Sequence, residues 1–291
     1  MTHTISVAGR TRTFVVVGDP DGPPDRPVVL VFHGSRQSGD IHRRFTGGTL
    51  DGLADEGRAV IAYLDGYRGN WNDARAASAF PARRENIDDV AFARDVVRSL
   101  ARSHGIDTAR VIGVGYSNGG QMVIRLLHEA DDLLAGAAIV AATMPERENF
   151  LGDFGAPTRR PVPIAIVAGT ADPIVPFEGG PMAWWARALF RVGGASLSAT
   201  ATAEYFARRN DIADAPSTDH GPAPAPGRAA IHTVAYRQEG RAPVTLHVVR
   251  GGGHTVPGPT PGPRVVGRTG ERPGIRDIVG DLVSASAVEG A

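Results

Sequence analysis

A chain of 291 residues with 42% hydrophobic content can bury a sizeable core, and its 31 basic residues balance 31 acidic ones, so no net field recruits nucleic acid or an anionic membrane. Every basic residue is arginine; without lysine there is no P-loop, no Schiff base and no Ser-Lys hydrolase chemistry. Cysteine is absent too, which removes cysteine nucleophiles, thiolate metal sites and disulfides.

Met1 to Ser6 lacks a basic region followed by an apolar one, and no apolar run approaches the roughly 20 residues of a membrane helix. A soluble cytoplasmic protein is therefore expected. Thr4–Val7 and Thr11–Val17 read as an opening hairpin around Ala8-Gly9-Arg10. Pro27–Phe32 is a continuous apolar run, the pattern of a strand buried on both faces. It ends in His33-Gly34-Ser35, a strand carboxyl end at which the backbone N–H of Ser35 is a candidate oxyanion donor. His33 itself reads as a structural histidine at a strand end.

Helical spacing around Phe45, Leu50, Leu53 and Ala54 leads to a strand over Ala59–Tyr63. The polar, aromatic loop from Leu64 to Asp73 follows at a strand carboxyl end, where open α/β sheets bind ligands. Trp71 in this loop has two readings, a pocket wall or a tryptophan packed beneath the loop. Ile87–Leu100 has helical periodicity with acids early and arginines late, and Asp88-Asp89 reads as a first-turn cap and not a carboxylate dyad.

Val111-Ile-Gly-Val-Gly-Tyr-Ser117-Asn-Gly-Gly120 then places a lone serine between glycines, after a β-branched run and before a helix. Small neighbours let chains pass a sharp turn that holds the hydroxyl clear of the sheet. The backbone N–H of Asn118 at the helix start is a second oxyanion donor. Glycine-rich turns of nucleotide-binding folds share this look, and the remaining chain has to decide between them.

Met122–Leu127 reads as a buried helix, Leu134–Ala142 as a strand, Thr143–Pro161 as irregular and Ile164–Ala168 as another buried strand. Asp172 follows that strand, and Pro173 biases it away from helix. An aromatic-rich insertion over about 177–228 comes next, with Met182, Trp184, Trp185 and Phe190, a helix over Ala199–Arg209 and a mobile Pro/Ala/Gly stretch over Ala215–Arg228. Its Met182–Phe190 stretch is expected to cover a substrate pocket and set its size, with a solvent-facing or partner-binding role as the alternative; the candidate pocket aromatics are Trp71, Trp184 and Trp185. Ile231–Arg237 and Val244–Val249 are strands, leading to Gly252-Gly-His254 and a final helix over about Arg276–Ser286.

Strand–helix alternation without repeats predicts one α/β domain over 1–291, a doubly wound and mostly parallel sheet. Ser117, Asp172 and His254 each follow a strand and stand in the order Ser, Asp, His of α/β-hydrolases. Ser117 is the expected nucleophile, His254 the general base and acid, and Asp172 the residue that orients the imidazole. No cofactor or metal is expected, since the chain has no HExxH, P-loop or suitably placed Gly-x-Gly-x-x-Gly.

With these motifs the chain resembles the polyhydroxybutyrate depolymerase and feruloyl esterase group of α/β-hydrolases. The likeness runs from about Val28 to Gly258. It rests on His33-Gly34, Asp88-Asp-Val-Ala-Phe92, Gly115-Tyr-Ser-Asn-Gly-Gly120, Gly169-Thr-Ala-Asp-Pro-Ile-Val-Pro176 and Gly252-Gly-His-Thr-Val-Pro-Gly258. The resemblance implies ester hydrolysis through an acyl-enzyme on Ser117, with oxyanion donors at Ser35 and Asn118. Many relatives are secreted, carry cysteines and place an aromatic residue where Val256 stands; none of these features is expected of this chain. A smaller or intracellular ester or thioester is therefore the expected partner. An acyltransferase or thioesterase-like cyclase with the same triad is the alternative, and a catalytically silent binding module the remote one.

Overall fold

The computed structural model describes residues 2–155 and 160–286. Strands β1 (Thr2–Val7) and β2 (Arg10–Val17) form the opening hairpin. β3 (Arg26–Phe32), β4 (Val60–Leu64), β5 (Ile106–Tyr116), β6 (Gly136–Val140) and β7 (Ile164–Gly169) follow. β8 (Gly180–Pro181) and β9 (Ala195–Ser196) make a small separate ladder. β10 (Ser217–Asp219), β11 (Ile231–Tyr236) and β12 (Val244–Val249) complete the strands.

Ten of them share one sheet in the order β1-β2-β4-β3-β5-β6-β7-β12-β11-β10. The pairs from β4 through β12 are parallel, and both margins are antiparallel. β3 and β4 are buried along their whole length, as continuous apolar runs require of strands covered on both faces.

The helices are α1 (Gly39–Phe45), α2 (Asp51–Asp55), α3 (Pro81–Arg84), α4 (Asp89–His104), α5 (Asn118–Glu129), α6 (Trp184–Phe190), α7 (Ala199–Arg209) and α8 (Ile275–Ala285). Phe92, Val96, Met122, Leu126 and Phe206 bring α4, α5 and α7 to one face, against Val28, Leu30 and Phe32. Leu53, Ile278, Val279 and Leu282 bring α2 and α8 to the other, against Val29 and Val31. Alternate β3 residues thus feed two cores, the doubly wound arrangement expected from the sequence.

Three local expectations change. Asp88 caps α4 by accepting from Ala91 N at 2.8 Å, but Asp89 is buried and pairs with Arg12 at 2.7 Å across to β2. α7 packs on the sheet with Ala203 and Phe206 in the core, so the stretch inserted near the site is shorter than 177–228. Ser217–Asp219, within the stretch expected to be mobile, adds as an exposed edge strand; three small polar residues give no apolar alternation to read. Residues 156–159 of the expected irregular segment lie outside the described residues.

Candidate active site

Because β5, β7 and β12 run parallel, the residues that follow them gather at one edge of the sheet. Ser117 follows β5 with φ 55° and ψ −114°, a left-handed conformation uncommon for a side-chain-bearing residue. Its N–H donates to the Val140 carbonyl at 2.8 Å, and its carbonyl accepts from Gln121 N at 3.0 Å, so the surrounding frame fixes the strained turn. A Cβ on Gly115 would overlap the Gly119 carbonyl, and one on Gly119 would overlap the Phe32 carbonyl. Only hydrogen at both positions lets α5 start this close to β3 and β5.

His254 Nε2 lies 2.9 Å from Ser117 Oγ, and its Nδ1 lies 2.7 Å from Asp172 Oδ2. The His254 and Asp172 side chains are nearly fully buried. Asp172 Oδ1 accepts from the backbone N–H groups of Ile174 at 2.7 Å and Val175 at 2.9 Å, so both carboxylate oxygens are occupied. Tyr116 donates its hydroxyl to the His254 carbonyl at 2.9 Å, with the two rings 5.2 Å apart. Burial pushes that phenol's pKa up, which keeps it a donor. The structure thus brings together the three residues singled out in the sequence.

Ser35 and Ser117 line the same cavity. Among the described residues neither Ser35 N–H nor Asn118 N–H has a hydrogen-bond partner. The Asn118 side chain is pinned: its Oδ1 accepts from Trp71 N at 2.9 Å and its Nδ2 donates to Asp73 Oδ2 at 2.5 Å. His33 bonds Gly34 O at 2.7 Å through Nδ1 and accepts from Gly66 N at 2.8 Å through Nε2. That geometry makes it a tie between two loops, the structural role expected of it.

The pocket aromatics are corrected. Trp71 is wholly buried, donates to the His33 carbonyl at 2.9 Å and packs edge-on to Phe32 at 5.2 Å. It supports the loop from below and is not among the residues that line the cavity beside Ser117. Trp184 is 76% and Trp185 39% exposed, because Ala186 is the α6 residue that packs inward. The cavity beside Ser117 is walled instead by Phe80, Ile174, Val175, Met182, Phe190 and Val192. Its volume of about 20 Å³ holds about one water molecule.

Two polar residues in this wall carried no obvious sign in the sequence. Arg75 binds Asp73 through Nε at 3.2 Å and Nη2 at 2.5 Å, and both are buried. Gln121, one helical turn after Ser117, donates Nε2 to the Thr143 carbonyl at 2.8 Å. The i, i+4 relation to Ser117 was the one available signal for Gln121; Arg75 sits in an irregular loop with no period to place it.

A strained serine between strand and helix, facing an imidazole held by a carboxylate at one edge of a mostly parallel sheet, defines an α/β-hydrolase. The chain belongs to the dienelactone hydrolase family, which it matches over residues 14–182, and it is a carboxylic ester hydrolase. It is 33% identical over 292 residues to NocK of Nocardia uniformis subsp. tsuyamanensis, an esterase by assignment only, covering 96% of this chain and 81% of that protein. It is 29% identical over 126 residues to Feruloyl esterase B of Piromyces equi, covering 42% of this chain and 22% of that one. Acetyl xylan esterase from Aspergillus awamori shares the fold with a TM-score of 0.56 at 14% identity, over 88% of this chain and 94% of that chain.

Proposed function

We propose that this chain hydrolyses a small carboxylic ester through an acyl-enzyme on Ser117. The observation that carries the reading is the continuous contact of Ser117, His254 and Asp172 at 2.9 and 2.7 Å. His254 Nε2 takes the proton of Ser117 Oγ as the oxygen attacks the ester carbonyl carbon. The same nitrogen returns that proton to the alkoxide as the carbon–oxygen bond breaks. Water then gives its proton to Nε2 and attacks the acyl carbon, and Ser117 leaves with that proton as the free acid forms. Asp172 keeps Nδ1 as the donor and stabilises the imidazolium formed in each half-reaction. The unpartnered N–H groups of Ser35 and Asn118 are the donors assigned to the oxyanion.

The tight cavity supports a short acyl group or one admitted by movement of Met182 and Phe190. Turnover of p-nitrophenyl esters from acetate to palmitate, with Ser117→Ala alongside, tests the proposal. Activity should be highest on the short chains and fall at least about 10⁴-fold in the variant. Undiminished turnover by Ser117→Ala would overturn the acyl-enzyme.

A further inference from the structure

A second small cavity adjoins the one beside Ser117, and Arg75, Gln121, Val175 and Met182 border both. Two polar groups at this junction are underused. Gln121 is 4% exposed, and among the described residues its Oε1 has no partner. Its orientation is fixed, because Nε2 must face the Thr143 carbonyl; a flipped amide would set two acceptors against each other. A buried, unsatisfied acceptor is costly unless something donates to it. Arg75 has two nitrogens on Asp73, but among the described residues Nη1 holds only the Met182 sulfur at 3.8 Å, a weak acceptor. Met182 is unbranched and readily re-orients, so it can yield that position.

We propose that this junction recognises a neutral amide on the substrate, so that the preferred substrates are esters whose acyl group carries a carboxamide or a peptide-like amide. This deepens the esterase reading and rests on it. The amide oxygen takes the place of the Met182 sulfur on Arg75 Nη1, and the amide N–H donates to Gln121 Oε1. A carboxylate fits poorly on two counts. Asp73 already pairs with Arg75, so a carboxylate here would have to share that guanidinium with a buried anion. A carboxylate also has no hydrogen to give Gln121. A plain alkyl group leaves both polar groups unmet.

Three methyl esters test this, compared by methanol release: methyl succinamate, its shape analogue methyl 4-methylpentanoate, and monomethyl succinate. The expected order places the amide first, with kcat/KM at least about tenfold above either other ester. Gln121→Leu should erase most of that ratio. Preference for the hydrocarbon or the carboxylate, or a ratio untouched by Gln121→Leu, overturns the proposal. Calorimetric binding of the same esters to Ser117→Ala separates recognition from chemistry. Tighter binding of the amide by at least about tenfold supports the proposal even where wild-type turnover fails, in which case the esterase reading has failed alone. Equal or weaker binding of the amide overturns it.

Discussion

Asp172 has one carboxylate oxygen on His254 and the other on two backbone N–H groups, so its orientation is fixed before any substrate arrives. Asp172→Asn keeps the shape but presents an amide that favours the wrong imidazole tautomer. We expect kcat to fall by about 10⁴-fold, measured on p-nitrophenyl acetate with folding checked by circular dichroism; a loss under tenfold would remove Asp172 from the mechanism. Asp73 is the other decisive carboxylate. It neutralises Arg75 and holds the Asn118 side chain, and its own side chain is completely buried. Asp73→Ala leaves a buried guanidinium uncompensated and should cost about 3–5 kcal/mol of stability. A urea midpoint close to that of the wild type would show that Arg75 had found another partner.

At the scale of elements, the site depends on how closely α5 approaches β3. Gly119→Ala pushes a methyl group into the Phe32 carbonyl, so the helix has to retreat or tilt. Overpacking of this kind costs about 1–3 kcal/mol, and the retreat carries Ser117 away from His254. A drop in kcat beyond tenfold, together with a lower urea midpoint, is the expected pair of results; unchanged kcat would mean the turn tolerates the shift. This approach was legible in advance, because Gly-x-Ser-x-Gly between a β-branched run and a helix needs it. So were β7 and β12, which carry Asp172 and His254 to the same sheet edge, and β3, which leads to Ser35. The pocket walls were not legible. Trp71, Trp184 and Trp185 share a composition that suits either a pocket, a core or a surface, and only the register of α6 and the depth of the loop before α3 separate these fates. Asp88 and Asp89 show the same limit: adjacent and chemically alike, one caps a helix while the other pairs with Arg12 on a strand 77 residues away.

The whole molecule responds to acid through histidines outside the triad. Burial lowers His33 and His247 from 6.5 to about 4, and His42 and His128 to about 3. Unfolded, each takes up a proton near pH 6.5. Between that pH and about 4 the unfolded state therefore binds more protons, and stability falls as the pH falls through the window, with no such loss above it. Each group contributes up to about 1.4 kcal/mol per pH unit there. Urea midpoints should be level above pH 7 and drop steeply from pH 6.5 to 4.5; a level profile would show that these histidines protonate without unfolding. The three tryptophans have an optical consequence of their own. Trp71 is sealed in the interior, while Trp184 and Trp185 sit in water on the helix whose far end, Phe190, helps roof the cavity. An iodide or acrylamide quencher therefore reaches the second set and spares the first. A ligand that lifts the roof should change the quenchable fraction, so the protein signals its own opening in native fluorescence, without an attached dye.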